Sequence, residues 1–213
     1  MKTELLLIRH GETLFNSQRK MQGILDSPLT DVGILQAKAA ASALTGKIFD
    51  AAYSSPLGRA RQTADIIFQQ LNCPVYFETG LQERNMGIFQ GLTPKEVADR
   101  FPEDYASFRA HDPDYVIPGG ESSRQKDERG IACFQQIADK HPGGKVAVIS
   151  HGGILDAVFR HTLLISLDQP RRYSIFNCAF NTIEIEGDNW RLLTWGDMNH
   201  LIDIGSLDEE LAG

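Results

Sequence analysis

Two short apolar runs, each ending in a histidine and a glycine, constrain this chain more than any other feature. Leu5–Ile8 leads into Arg9-His10-Gly11, and Val146–Ile149 leads into Ser150-His151-Gly152. Runs of four apolar residues bounded by polar ones read as strands buried on both faces, the pattern of a parallel sheet covered by helices. The stretches between them supply those helices. Asp31–Leu44 reads as one, with Thr30 as its N-cap. Asp50–Ser54 reads as a strand, after which Ser55-Pro56 places a cap and a first-position proline in order. Leu57, Ala60, Ala64, Ile67 and Leu71 then recur at spacings of three and four, which makes one buried helical face.

Further along, Pro74–Phe77 reads as a strand, and Thr93-Pro94-Lys95-Glu96 as a capping box with proline at the first helical position. Ser122 and Gln125 form a similar box ahead of a helix running towards Lys140, and a helix is expected after Gly153. Phe180–Ile185, the turn Gly187-Asp188-Asn189 and Trp190–Trp195 read as a closing hairpin. The expectation is a three-layer α/β/α sandwich with a mostly parallel central sheet. It occupies residues 1–213 as a single domain, with an insertion or lid at about 86–121. Within that insertion Pro102–Gly120 is rich in Asp, Pro and Gly yet carries Tyr105, Phe108 and Tyr115, which suits an ordered segment better than a linker.

Composition narrows the function. The 21 Lys and Arg against 28 Asp and Glu give a net charge of −7, so a nucleic-acid partner is not expected. A small anion remains open, because a few arginines can focus a positive field inside an acidic protein. No apolar run approaches the roughly 20 residues of a membrane span, and nothing near Met1 reads as a secretory leader. No membrane partner is expected, and the expected location is cytoplasmic. Cys73, Cys133 and Cys178 are odd in number and widely spaced, so they suggest inert thiols rather than a disulfide framework. Nothing in the chain fixes an oligomeric state.

The chemistry gathers at the strand ends. In open α/β sheets ligands lie beyond the carboxyl ends of the strands, so His10 and His151 should emerge together if both strands are central and parallel. The glycine after each histidine lets backbone amides approach a bound group. Arg59, in the first turn of the Ser55-Pro56 helix, adds a forked donor where the helix start already favours an anion. Phosphate is the ligand this combination implies. The chain has no H-E-x-x-H, no G-x-S-x-G, no P-loop and no G-x-G-x-x-G. A nucleophilic imidazole working without a metal or other cofactor remains.

Four blocks then carry a resemblance. Arg9-His10-Gly11-Glu12-Thr13 with Asn16 and Gln22-Gly23 comes first, and Ser54–Ala64 (SSPLGRARQTA) second. Leu81-Gln82-Glu83-Arg84-Asn85-Met86-Gly87 is the third, and Ser150-His151-Gly152-Gly153 the fourth. In this order they resemble the histidine phosphatase superfamily, the phosphoglycerate mutase-like proteins. The resemblance implies His10 as the nucleophile that becomes phosphohistidine, and Glu83 as the general acid for the leaving alcohol. It implies Arg9, Arg59 and His151 as holders of the phosphoryl oxygens, assisted by Asn16 and the Gly152 amide, with Gln22 and Gly23 lining the substrate side. Arg61 is a further candidate for the phosphate, although two residues on from Arg59 its side chain diverges along a helix.

Cofactor-dependent mutases of that superfamily typically carry Tyr where this chain has Met86 and Lys where it has Pro94, though Lys95 is adjacent. They also carry a pair of Arg where it has only Arg109. Pro118–Ser122 (PGGES) and Gly196–Leu201 (GDMNHL) resemble the phosphatase-like branch. The implied activity is hydrolysis of a small phosphorylated metabolite. A cofactor-dependent phosphoglycerate mutase is the alternative, and a non-catalytic scaffold of the same fold a more distant one.

Overall fold

The computed structural model describes residues 1–69, 71 and 73–205. Strand β1 (Thr3–Arg9) is followed by a short helix α1 (Leu14–Ser17), helix α2 (Asp31–Ala43), β2 (Ala51–Ser54), α3 (Gly58–Phe68) and β3 (Val75–Phe77). The insertion carries α4 (Pro94–Arg100) and α5 (Pro102–Arg109). Then come α6 (Ser123–Lys140), β4 (Lys145–Ser150), α7 (Gly152–Leu163), β5 (Phe180–Glu186) and β6 (Asn189–Asp197). The strands form one sheet in the order β3-β2-β4-β1-β5-β6, in which the first four are mutually parallel, β5 is antiparallel to β1 and β6 is antiparallel to β5.

Alternation along the central strands explains the layers. Leu5, Leu7, Val146 and Val148 face one side, where they meet Phe134 and Ile137 of α6 and Ile154, Leu155 and Val158 of α7. Ile8, Ala147 and Ile149 face the other, against Ala37 and Ala40 of α2 and Ala60, Ala64 and Ile67 of α3. Side chains buried on both faces are what continuous apolar runs require. The mostly parallel α/β/α sandwich expected from the sequence is the observed architecture.

Three local expectations change. α3 starts at Gly58 with Leu57 at its N-cap position and no side-chain cap, so Ser55-Pro56 does not open it as expected. Ser55 is instead drawn to β4's histidine, as described below. The insertion is more helical than its composition suggested: after α4, Phe101-Pro102 breaks the axis and α5 begins with Pro102 in its first turn. The aromatics of this region pack on one another, Phe89 with Phe101, Tyr105 and Phe108, over a small core of Phe89, Val97 and Ile117. Thr13 and Asn16 also form a capping box that starts α1, a turn the sequence reading missed.

β1 reaches α2 through a contact that admits no side chain. A Cβ on Gly33 would stand 2.1 Å from the Glu12 carbonyl oxygen, and one on Gly11 2.6 Å from that of Gly33. Because backbone meets backbone here, neither side yields easily. Gly33→Ala should therefore lower the unfolding free energy by about 1–3 kcal/mol, the range typical of overpacking, as measured by urea denaturation. An unchanged midpoint would show that α2 can retreat from β1 at little cost.

Candidate active site

Three strand ends meet at the carboxyl edge of the sheet. β1 and β4 are neighbours with Arg9 opposite Ser150, and backbone bonds continue past them: His10 N–H donates to Ser150 O (3.0 Å) and Ser55 N–H to Ile149 O (3.0 Å). This register brings the rings of His10 and His151 to 5.1 Å between centroids, with their planes at 58°. Both imidazoles are buried, as are the guanidinium-bearing side chains of Arg9 and Arg59.

The hydrogen bonds around His10 assign its protons. Nδ1 lies 2.8 Å from the carbonyl oxygen of Gly11, which can only accept, so Nδ1 carries the hydrogen. Nε2 then holds the lone pair, and Arg59 Nε–H donates to it at 3.2 Å. Arg59 is steered there by backbone acceptors. Its Nη2 donates to Gly23 O (2.7 Å), and its Nη1 to Leu25 O (2.9 Å) and more distantly to Asp26 Oδ1 (3.4 Å). Arg9 Nη1 donates to Ile175 O (2.6 Å), and Asn177 Nδ2 donates to His10 O (2.7 Å). These carbonyls fix where the two buried guanidinium groups point at the strand ends.

Glu83 arrives from the loop after β3. Its Oε1 accepts from Arg84 N (2.7 Å) and its Oε2 from Gly153 N (2.8 Å), in the first turn of α7 beside His151 and Gly152. A Cβ on Gly153 would stand 2.3 Å from Glu83 Oε1, so glycine there is what lets the carboxylate dock. Gly153 is braced from behind, since the buried Lys126 Nζ donates to its carbonyl at 2.7 Å.

Gln22 is buried and Gly23 adopts φ +57°, with Gln90 Oε1 accepting from Ile24 N (2.7 Å). The Gly23 loop that cradles Arg59 is thus tied to the insertion. Asn16 is half-buried and uses Oδ1 to accept from Thr13, which leaves its amide nitrogen as the donor it can present. Arg61 is not brought to the cluster. It is exposed, its guanidinium stacks on Phe77 at 4.0 Å from the ring centroid, and its Nε donates to Pro56 O. The sequence reading missed Ser55, whose Oγ lies 2.7 Å from His151 Nε2, and the Ile175–Asn177 segment that holds Arg9 and the His10 carbonyl. That segment has no periodicity to betray it. A cavity of about 870 Å³ between α6 and the end of α7 shares no residue with this cluster.

Burial pushes His10 well below the ordinary imidazole range, and the cations Arg59 and Arg9 push it further against the opposing bond to Gly11 O. Burial does the same to His151, helped by Arg59, His10, Arg9 and Arg129. Both rings are therefore neutral at pH 7. In the unfolded chain they titrate near the ordinary value of ~6.5 and bind protons that the folded chain refuses. Stability from this pair is present above about pH 6.5 and is lost as pH falls from there towards the folded values. Each histidine contributes a slope of up to about 1.4 kcal/mol per pH unit. Urea denaturation between about pH 6.5 and 5.5 should show this loss, and it should shrink when His10 and His151 are both replaced by Asn. An unchanged slope in that variant would place the titration elsewhere.

Comparison with known proteins agrees with this geometry. Residues 5–198 match the model of the histidine phosphatase superfamily (branch 1). A metal-independent phosphoserine phosphatase from Arabidopsis thaliana is 38% identical over 99% of this chain and 88% of its own length. A probable phosphoglycerate mutase, GpmB, from Escherichia coli is 33% identical over 97% of this chain and 98% of its own. Among solved structures, Bacillus stearothermophilus YhfR superposes with a TM-score of 0.87 at 31% identity, covering 93% of this chain and 99% of that one. With two strand-end histidines, two buried arginines and a docked glutamate in the family's order, the chain is an enzyme of branch 1 of the histidine phosphatase superfamily.

Proposed function

We propose that the chain is a metal-independent phosphomonoesterase that works through phosphohistidine at His10 on a small phosphorylated metabolite. The observation that carries this is the bare His10 Nε2 facing Arg59 Nε–H, with Nδ1–H tied to the Gly11 carbonyl. A phosphoryl oxygen entering the site takes the Arg59 hydrogen bond from Nε2 and frees its lone pair. Arg9, Arg59, His151, the Gly152 amide and Asn16 then hold the equatorial oxygens, where phosphoryl transfer concentrates its charge. As the N–P bond forms and the P–O bond to the alcohol breaks, protonated Glu83 gives its proton to the leaving oxygen. The Gly11 carbonyl stabilises the positive charge that develops on the imidazole. In the second half, Glu83 takes a proton from water, the water oxygen bonds to phosphorus, and His10 leaves with its electron pair.

Hydrolysis is favoured over mutation because Lys95 of the insertion and the flanking Arg84 and Arg124 are engaged elsewhere. Lys95 is exposed and paired with Asp99 (2.6 Å), and Arg124 is paired with Asp114 (2.6 Å). Arg84 is held by Glu121 O, Ser123 Oγ and Tyr115 O over the Phe108 ring. Met86 and Pro94 stand where cofactor-dependent mutases typically carry Tyr and Lys, and Arg109 stands where they carry a pair of Arg. We read residues 86–121 as a lid over the substrate's organic part, with Gln22 and Gly23 lining the substrate side next to it. The cytoplasm is the proposed compartment. Burial pushes the Cys133 thiol up to about 11, which fits the inert thiols of a reducing compartment. Among the described residues no helix is long and apolar enough to cross a membrane.

A panel of phosphomonoesters tests the reading. Phosphoserine belongs in it because of the Arabidopsis relative, and 3-phosphoglycerate with a trace of the 2,3-bisphosphate because of the Escherichia coli one. At least one alkyl ester should release inorganic phosphate equally with and without chelator, and little 2-phosphoglycerate should form. Glu83→Gln should slow that ester by about 10²–10⁴-fold while hardly affecting p-nitrophenyl phosphate, whose leaving group needs little protonation. Rapid phosphoglycerate interconversion with no phosphate released from any ester would move the chain to the mutases. Equal losses for both ester types would reduce Glu83 to a structural role.

A further inference from the structure

His151 has one nitrogen engaged and one not. Its Nε2 lies 2.7 Å from Ser55 Oγ, while Nδ1 is buried and meets no hydrogen-bond partner among the described residues. The serine resolves which nitrogen is protonated. Ser55 Oγ already accepts from Leu57 N–H (3.3 Å), and His151 Nε2 is the other group within its reach. Among the described residues the hydroxyl hydrogen therefore has one acceptor to go to, the Nε2 lone pair. If Nε2 carried the hydrogen instead, the hydroxyl proton would be stranded in a fully buried pocket, and Nδ1 would be a buried lone pair with no donor. Backbone geometry makes the serine hard to displace, since Ser55 N–H is fixed to Ile149 O one residue before Ser150-His151.

We propose that Ser55 is a positioning residue for the reaction: its hydroxyl donates to His151 Nε2 and holds the ring as the Nδ1–H tautomer. Nδ1–H is then the donor that His151 offers a phosphoryl oxygen, in a ring that stays neutral and cannot compete for the proton Glu83 delivers. The two histidines share a tautomer for opposite purposes. In His10 it exposes a bare Nε2 for attack, and in His151 it presents Nδ1–H for binding. This also explains why Ser55 does not cap α3.

The inference rests on the proposed phosphate chemistry for its purpose, but its test does not need turnover. In the ligand-free wild-type protein at neutral pH, nitrogen-15 NMR of the histidine rings should show His151 Nδ1 at the shift of a protonated nitrogen and Nε2 at that of a bare one. Finding the opposite tautomer would overturn the proposal, even if the protein proved an active phosphatase. Ser55→Ala removes a single oxygen, and its fold is checked by circular dichroism and by unchanged His10 signals. It should mix the two His151 tautomers and weaken binding of inorganic phosphate. It should also lower kcat/KM by roughly 10- to 100-fold, the scale of one hydrogen bond to a charged group. A folded Ser55→Ala protein that keeps the Nδ1–H tautomer, or binds phosphate within about twofold of wild type, would also overturn it. Absence of hydrolysis in wild type alongside the expected tautomer would count against the phosphatase reading and leave the serine–histidine assignment standing.

Discussion

Two guanidinium groups, Arg9 and Arg59, are held almost completely out of water at the edge of the sheet, and the rest of the site follows from how they are held. A buried charge needs compensation. Backbone carbonyls of Gly23, Leu25 and Ile175 supply part of it, and the partly exposed carboxylate of Asp26 lies 3.4 Å from Arg59 Nη1. Carbonyl dipoles set the direction of these donors. Burial first, and the guanidinium charges beside them second, keep both histidines neutral.

This arrangement makes distant parts of the chain share one task. Arg59 keeps its place only while the Gly23 loop does, and that loop is pinned to the insertion by Ile24 N to Gln90 Oε1 and by Gly91 N to Met21 O (2.8 Å). The insertion in turn grips the Glu83 loop through Arg84. On the far side, Arg129 of α6 donates to the carbonyls of Gly80 and Gln82 and pairs with Glu121 (2.7 Å). Nucleophile, cation and acid thus sit on different elements, yet each is fixed by backbone acceptors or donors. Such fixing suits chemistry in which positioning and electrostatics do most of the work.

The sheet and the two histidines were legible because burial on both strand faces writes continuous apolar runs, and because β1 and β4 end in the same way. α3 was legible from its apolar spacing, although its start was not. Ser55 looked like a cap because the local rule for Ser-Pro is strong, and a tertiary partner, His151, overrode it. The support of Arg9 by Ile175 and of His10 by Asn177 lies in an irregular segment, where Cys178 adopts a positive φ of 56° and no repeat marks the residues that matter. Arg61 was a candidate through the motif, but the divergence expected two residues on from Arg59 is what the helix delivers, turning it outward onto Phe77.

The decisive measurement is to trap the covalent intermediate. The protein is mixed with a phosphomonoester it turns over, denatured in alkali where phosphohistidine survives, and mapped by mass spectrometry. A single phosphoryl group on His10, with both label and turnover lost in His10→Ala, is the result this mechanism requires. A phosphoryl group on any other residue, or full turnover by the His10→Ala variant, would contradict it.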